Sequence, residues 1–384
     1  MAPATFASEP VEVPATANKR LLDPEFNREK GLFTWVDIID GSIWVSQIDK
    51  ATGNFIPADG RWQLVERSAA PIGGLGFSLN GPEWVLGAQQ DYIVYTRYDS
   101  TSPQSPELAR LGAAVLNSKG QWVRRTISAE LPRNSPFGSE NPTDVAPRIT
   151  YNDEAGNHYW RVINDPSTEE LLPGLVGTGL LPAVRHVRDS ARQAVTYPLT
   201  VDGVPQVHWY DTKTKVFEQI TFDAGTKEQP WIWRAPDFDN GLVMLTTVDT
   251  NTLAFYVKGR DGGASGSSWE RRLTIPVPEE GGRFFSTEPF VYDGKSYVIM
   301  MIIVGNYPRS IWLANFDSSA PILRRLTPTL PDRARADPEV FFTDNGPVVF
   351  FSRFDQTKGS YWLCVRCAEG LYRVETGIPP AARR

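Results

Sequence analysis

The chain has 384 residues, of which 41% are apolar, 11% aromatic and 22% charged. That apolar fraction is enough for a packed core and excludes wholesale disorder, while 31 glycines and 31 prolines are too many for a helical bundle. Thirty-nine basic against 45 acidic side chains leave a formal charge of −6, which argues against a nucleic-acid partner, and no run approaches the ~18 apolar residues of a membrane helix.

Residues 1–20 carry Pro, Ala and acidic side chains without a basic start and apolar core, so they read as a flexible lead-in and not as a signal peptide. Residues 21–384 then read as a single domain. Cys364 and Cys367 are the two cysteines, and no Asn-x-Ser/Thr sequon has a permitted middle residue. Both facts favour an intracellular, cytoplasmic protein.

From residue 21 onward a proline beside an acidic, basic or aromatic residue recurs, in most cases roughly 50–65 residues apart. The series is LLDPEF at Pro24, NGPEW at Pro82, VAPRIT at Pro147, LPAVRH at Pro182, RAPDF at Pro236, TEPFVY at Pro289 and ADPEVF at Pro338. The step from Pro147 to Pro182 is short and reads as a truncated repeat. Each anchor opens the same sequence of events. The first repeat runs EFNREKG, LFTWVDIIDG, SIWVSQIDK and WQLVE; the sixth runs FVYDGK, SYVIMMIIV, SIWLANFD and ILRRLTP. These are four short strands rich in Val, Ile, Phe, Tyr and Trp, parted by Asp-Gly, Asn-Gly or Lys-Gly turns. The second strand of each group is nearly all apolar, as a strand covered on both faces must be.

Radial repetition of four-stranded antiparallel units predicts an all-β fold, a β-propeller, with seven blades by anchor count and six possible. A sandwich would not repeat a Pro-anchored opening strand. The one stretch with a helical look is PELARLGAAVL (106–116).

Familiar motifs give little. Cys364-x-x-Cys367 has no second pair to complete a zinc site and reads as buried structural thiols. His158, His186 and His208 are too few for an ordinary multi-His site, so no metal is expected. Gly294-Lys295-Ser296 lacks the first glycine of a P-loop, Asp237, Asp239 and Gly241 fit a turn better than a calcium loop, and GASGSS (263–268) does not fit a nucleophile elbow.

Position carries more. In a propeller the innermost strand of each blade lines the central channel, so residues flanking the anchors converge although distant in sequence. They are Asp23, Glu25, Glu83, Trp84, Arg148, Arg185, His186, Trp231, Trp233, Arg234, Asp237, Glu288, Asp337 and Glu339. They suit a pocket with apolar walls and a few directed polar groups; the alternative is that they pair between blades and hold the ring shut.

At these residues the chain resembles the TolB-like propellers, whose blades open with a Pro-acidic strand and continue through an Ile-Trp-Val strand, over about residues 20 to 376. The stretch LLDPEFNREKGLFTWVDIIDGSIWVSQIDKATGNFIPADGR (21–61) with NGPEWVLG (80–87) is similar to fungal secondary-metabolite propellers, the trichothecene-cluster propeller protein and the hetero-Diels-Alderases of tropolone-sesquiterpenoid pathways among them. That likeness implies a cofactor-free enzyme that binds an apolar, oxygenated small molecule and directs a cyclisation or cycloaddition. Such a reaction needs partners held close, water excluded and a donor to polarise one carbonyl. Arg148, Arg185, His186 or Arg234 would donate. Glu25, Glu83, Trp84, Trp231, Trp233, Glu288, Asp337 and Glu339 would bind. Two other readings stand: a glycoside hydrolase using channel-mouth carboxylates, and a non-catalytic interaction platform.

Overall fold

The computed structural model describes residues 9–13, 21–37, 40–67, 69, 81–98, 109–127, 132–176, 184–259, 269–316, 321–359 and 367–382. Among them there are 29 strands, and helix is limited to short turns such as Pro236–Phe238 and Gln356–Lys358.

A short strand, β1 (Val11–Glu12), precedes the first blade. Blade 1 holds β2 (Leu21–Asn27), β3 (Leu32–Asp37), β4 (Ser42–Ile48), β5 (Phe55–Ile56) and β6 (Gln63–Glu66), the last two both pairing with β4. Blade 2 is β7 (Glu83–Val85), β8 (Tyr92–Tyr98), β9 (Ala109–Leu116) and β10 (Trp122–Thr126). Blade 3 is β11 (Asn134–Gly138), β12 (Arg148–Asn152), β13 (His158–Val162) and β14 (Asp165–Leu171). Blade 4 is β15 (Arg185–His186), β16 (Ala194–Val201), β17 (Val204–Asp211) and β18 (Phe217–Gln219). Blade 5 is β19 (Lys227–Ala235), β20 (Gly241–Val248), β21 (Thr252–Lys258) and β22 (Trp269–Pro276). Blade 6 is β23 (Gly282–Tyr292), β24 (Lys295–Val304), β25 (Tyr307–Phe316) and β26 (Pro321–Arg325). Blade 7 is β27 (Arg333–Thr343), β28 (Gly346–Asp355) and β29 (Ala368–Glu375).

Blade 7 has three strands of its own and takes its fourth from the other end of the chain. β1 pairs antiparallel with β29, Val11 opposite Arg373 and Glu12 opposite Tyr372, and Val13 N donates to Leu371 O at 2.9 Å. Val13 is fully buried. Part of the expected lead-in therefore closes the ring, which is a seven-bladed β-propeller.

Seven apolar clusters fill the seams, one between each pair of neighbouring blades. The closing seam joins Phe26, Phe33 and Phe55 of blade 1 to Phe341 and Phe350 of blade 7, with Phe33 and Phe55 stacked at 4.2 Å. This is where most of the aromatic side chains go, because each blade is covered on both faces.

Two expectations are corrected. Ala109–Leu116, within the stretch with a helical look, is strand β9; residues 106–108 lie outside the described residues. Its small residues serve close packing: a Cβ on Gly112 would meet the Tyr95 ring at 2.2 Å. Cys367 is buried and disulfide-bonded, not a free thiol, and Cys364 lies outside the described residues, as does GASGSS. A disulfide removes one of the two observations behind the intracellular expectation. No helix among the described residues is long and apolar enough to cross a membrane.

Candidate functional site

The inner strands share a local device. In β2, β11, β19, β23 and β27 the pairing slips, and each slip holds a residue at positive φ: Asp23 (55°), Ser135 (50°), Gln229 (51°), Ser286 (45°) and Asp337 (59°). Pro24, Pro136, Pro230 and Pro338 follow four of them. Such bulges re-aim the next side chains, and non-glycine residues in this region cost ~1–3 kcal/mol each. Two residues beyond each bulge stand Glu25, Phe137, Trp231, Glu288 and Glu339. Glu83 after Gly81-Pro82 and Arg185 on β15 take the same place in blades 2 and 4. One ring position per blade thus reads Glu25, Glu83, Phe137, Arg185, Trp231, Glu288, Glu339. Gly81 replaces the bulge residue because the Asp23 carboxyl lies on it: Asp23 Oδ2 accepts from Gly81 N, and a Cβ there would meet Asp23 Cβ at 2.7 Å.

Three guanidiniums and a crowd of carboxyls share the channel. Arg188 Nη2 meets Glu140 and Glu288 at 2.8 Å each, and its Nη1 donates to Pro289 O at 2.6 Å. Arg28 Nη2 lies 3.3 Å from Glu288 and 4.0 Å from Glu339. Burial pushes the Glu288 carboxyl up, but Arg188 and Arg28 outweigh it and hold its pKa down at about 2. The other ring acids go the opposite way. Burial, reinforced by neighbouring carboxylates, raises Glu25, Glu83, Asp337 and Glu339 well above the usual carboxylate range; burial also raises Asp23, against its hydrogen bonds from Asp337 and Gly81. The hydrogen bond between Asp337 and Asp23 raises the first and lowers the second, which makes Asp337 the donor, and Glu339 stands in the same relation to Glu288.

Arg185 is different. Its guanidinium lies 4.2 Å from the Phe137 ring and 5.0 Å from the Trp231 ring, with Arg188 on Trp231 at 4.4 Å. Its Nε is buried with no hydrogen-bond partner, and no carboxylate among the described residues comes within ion-pair distance. Two aromatic neighbours flank a cation whose Nε has no acceptor among the described residues. A carbonyl, enolate or carboxylate oxygen in the channel would complete it.

Of the residues selected from sequence, Asp23, Glu25, Glu83, Arg185, Trp231, Glu288, Asp337 and Glu339 come together here. The rest do not. Arg148 lies on β12, the second strand of blade 3, where it bonds Asp144 (3.1 Å) and Ala146 O (2.8 Å) of its own blade and reaches blade 4 through Gln193 (2.6 Å). His186 alternates with Arg185 on β15 and so points away from the channel; burial pushes its pKa down to about 4. Arg234 sits at the rim in a two-point bridge to Asp189, at 3.1 and 2.7 Å. Trp84 and Trp233 are in the seams, donating to Glu25 O at 3.1 Å and Ser296 Oγ at 3.2 Å. Asp237 accepts from Ser296 N and Oγ, at 3.1 and 2.6 Å.

Arg28, Phe137, Glu140 and Arg188 were missed. The signal existed: Ser135-Pro136-Phe137 and Gln229-Pro230-Trp231 match Asp23-Pro24-Glu25 better than the segments at Pro147 and Pro236 do. With them the spacing evens out and no repeat is truncated. Pro182 lies outside the described residues. Among the described residues no group of three or more His, Cys, Asp or Glu side chains is disposed to hold a metal.

No protein-family model matches the chain, and no curated protein is similar to it in sequence. Solved structures match the fold. The Cps50 (Swd1) β-propeller domain of Myceliophthora thermophila is 10% identical, with 97% of this chain and 99% of that chain covered and a TM-score of 0.57. A copper-bound fungal alcohol oxidase of the AA5 family is 12% identical, with 99% and 79% covered and a TM-score of 0.56. TolB of Acinetobacter baumannii is 16% identical, with 76% and 65% covered, at a TM-score of 0.39. At these identities the likeness is one of fold alone.

Proposed function

We propose that the channel binds an oxygenated small molecule and directs its cyclisation or hetero-Diels–Alder cycloaddition without a cofactor. The observation that carries the reading is Arg185, a guanidinium beside the Phe137 and Trp231 rings whose buried Nε has no acceptor among the described residues. Around it burial pushes the Glu25 and Glu83 carboxyls up, which favours the neutral form from which they too can donate a proton or a hydrogen bond to a substrate oxygen. Donors already in place cost no reorganisation when negative charge develops, and one of them is worth ~2.7–4 kcal/mol. The flat faces of Phe137 and Trp231 offer one apolar side against which an unsaturated substrate can be held in a reactive pose. Phe137 and Trp231 are the two apolar residues among the seven ring positions, which favours a substrate richer in oxygen than the tryptophan count suggests.

The carboxyl supply supports a second reading, a glycoside hydrolase, because acids pushed apart in pKa are what an acid–base pair needs. Against it, the ionised Glu288 is engaged by Arg28 and Arg188 and is not free to attack or to take a proton. A panel of terpenoid quinones and enones, set against oligosaccharides, separates the two in native mass spectrometry and turnover assays. Arg185→Met is expected to lower the rate of cyclisation ~10²–10³-fold, and Glu25→Gln to do less. Oligosaccharide cleavage abolished by Glu25→Gln or Glu83→Gln and kept in Arg185→Met would replace the cyclase with the hydrolase. If neither panel binds, the interaction platform gains.

A further inference from the structure

Three residues beyond each ring position lies a second layer: Arg28, Leu86, Glu140, Arg188, Arg234, Val291 and Phe342. The inner strands of a propeller run the same way along the channel, so this layer lies about 10 Å nearer the face where those strands end. From it Arg28 and Arg188 reach back to one atom, each placing Nη2 on Glu288 Oε1, at 3.3 and 2.8 Å. Neither comes from a blade next to blade 6. Blade 7 stands between Arg28 and Glu288, and Arg28 bonds it on the way, Nε to Val340 O at 2.8 Å, with the Phe342 ring at 5.6 Å. Blade 5 stands between Arg188 and Glu288, and its Trp231 ring lies 4.4 Å from the Arg188 guanidinium. Arg188 continues to Glu140 of blade 3 at 2.8 Å. Blade 2 joins through its backbone, Leu86 N donating to Ser139 O at 2.9 Å beside Glu140. The line Arg28–Glu288–Arg188–Glu140 therefore crosses the channel and meets every blade.

The turns that follow the inner strands, at residues 28–31, 86–91, 139–147, 187–193, 236–240, 293–294 and 344–345, all lie among the described residues, so this end of the channel is described at every blade. Above the bridge Glu25, Glu83, Phe137, Arg185 and Trp231 are each partly exposed, so the channel admits solvent there. We propose that the bridge is the floor of a one-ended pocket. A ligand enters at the face where the inner strands begin, stops at Glu288 and Arg188, and leaves by the same mouth. Such a pocket takes a compact molecule or the end of a chain, and not a segment threaded through the ring. Arg28 and Arg188 are positioning residues: their charge-assisted bonds hold Glu288 and back the Trp231 ring. For its ligand the inference rests on the channel reading above; the floor itself rests on the bridge.

The test needs no ligand. Phe137→Cys in the full chain places a thiol on the ring just above the bridge, while Cys367 is held in its disulfide, and iodoacetamide labelling is followed by intact mass without reductant. Adding Arg188→Gln is expected to raise the labelling rate, because a second route opens through the floor. Should that variant not fold, Arg28→Gln breaks the other half of the bridge and is expected to raise it too. Arg148→Gln removes a buried ion pair away from the bridge and is expected to leave the rate where it was. An unchanged rate in the bridge variants, or an equal rise in Arg148→Gln, would overturn the floor. Faster labelling in the bridge variants alone, with neither small-molecule nor oligosaccharide panel bound, would support the floor and count against the channel reading.

Discussion

Glu25→Gln should stabilise the protein at neutral pH and flatten its pH dependence. Burial among other carboxyls raises the folded-state pKa of Glu25, while the unfolded chain titrates near 4.3. Between those two values the folded state holds a proton that the unfolded state has released, so stability falls as pH rises. The slope is about 1.4 kcal/mol per pH unit for each such group while the pH lies between its unfolded and folded values. Glu83, Asp337 and Glu339 act in the same sense. Glu288 acts in the opposite one: its folded pKa of about 2 contributes stability above about pH 4.5 that is lost as pH falls toward 2. Maximum stability is therefore expected near pH 4–5. Urea melts followed by tryptophan fluorescence at half-unit intervals from pH 3 to 8 measure it. The wild type should weaken as pH rises above 5, and Glu25→Gln should weaken less steeply. Parallel curves for the two proteins, or a wild type with no pH dependence above 5, would refute the protonation pattern assigned to the ring.

Arg148→Gln should destabilise by ~3–5 kcal/mol, because it leaves Asp144 buried without its partner, yet product stereochemistry should be unchanged. His186 is neutral above about pH 4 and faces away from the channel, so His186→Asn should leave the pH profile of turnover where it was. Arg234→Gln breaks a rim bridge to Asp189 and should cost ~1 kcal/mol or less with turnover intact. Deleting residues 1–13 removes β1 and the buried Val13. It should cost ~2 kcal/mol or more in a urea melt, with faster hydrogen exchange along the exposed edge of β29.

The propeller was legible because strand period, turn chemistry and a Pro-marked opening strand repeat along the chain, and repetition survives errors at single positions. The site was less so. Counting the segments at Pro147 and Pro236 as anchors put Arg148 and Arg234 in the channel, although both prolines follow an inner strand. The discriminating feature is the bulge, a backbone event at Asp23, Ser135, Gln229, Ser286 and Asp337 whose side chains have little in common. Tryptophans could not be sorted between channel and seam, because Trp231 and Trp233 are two residues apart on the same strand, both beyond its bulge, and both touch the blade 5–blade 6 cluster. Neither could the pairing of Arg188 with Glu140 and Glu288 be read, since those three come from different blades.

The closest test of the channel proposal is a crystal structure with the tightest-binding oxygenated hit from the small-molecule panel. An oxygen of that ligand is expected within ~3 Å of the Arg185 guanidinium, with the unsaturated part against Phe137 or Trp231. A ligand seated on the rim near Arg234, or in the channel with Arg185 still unpaired, would contradict it.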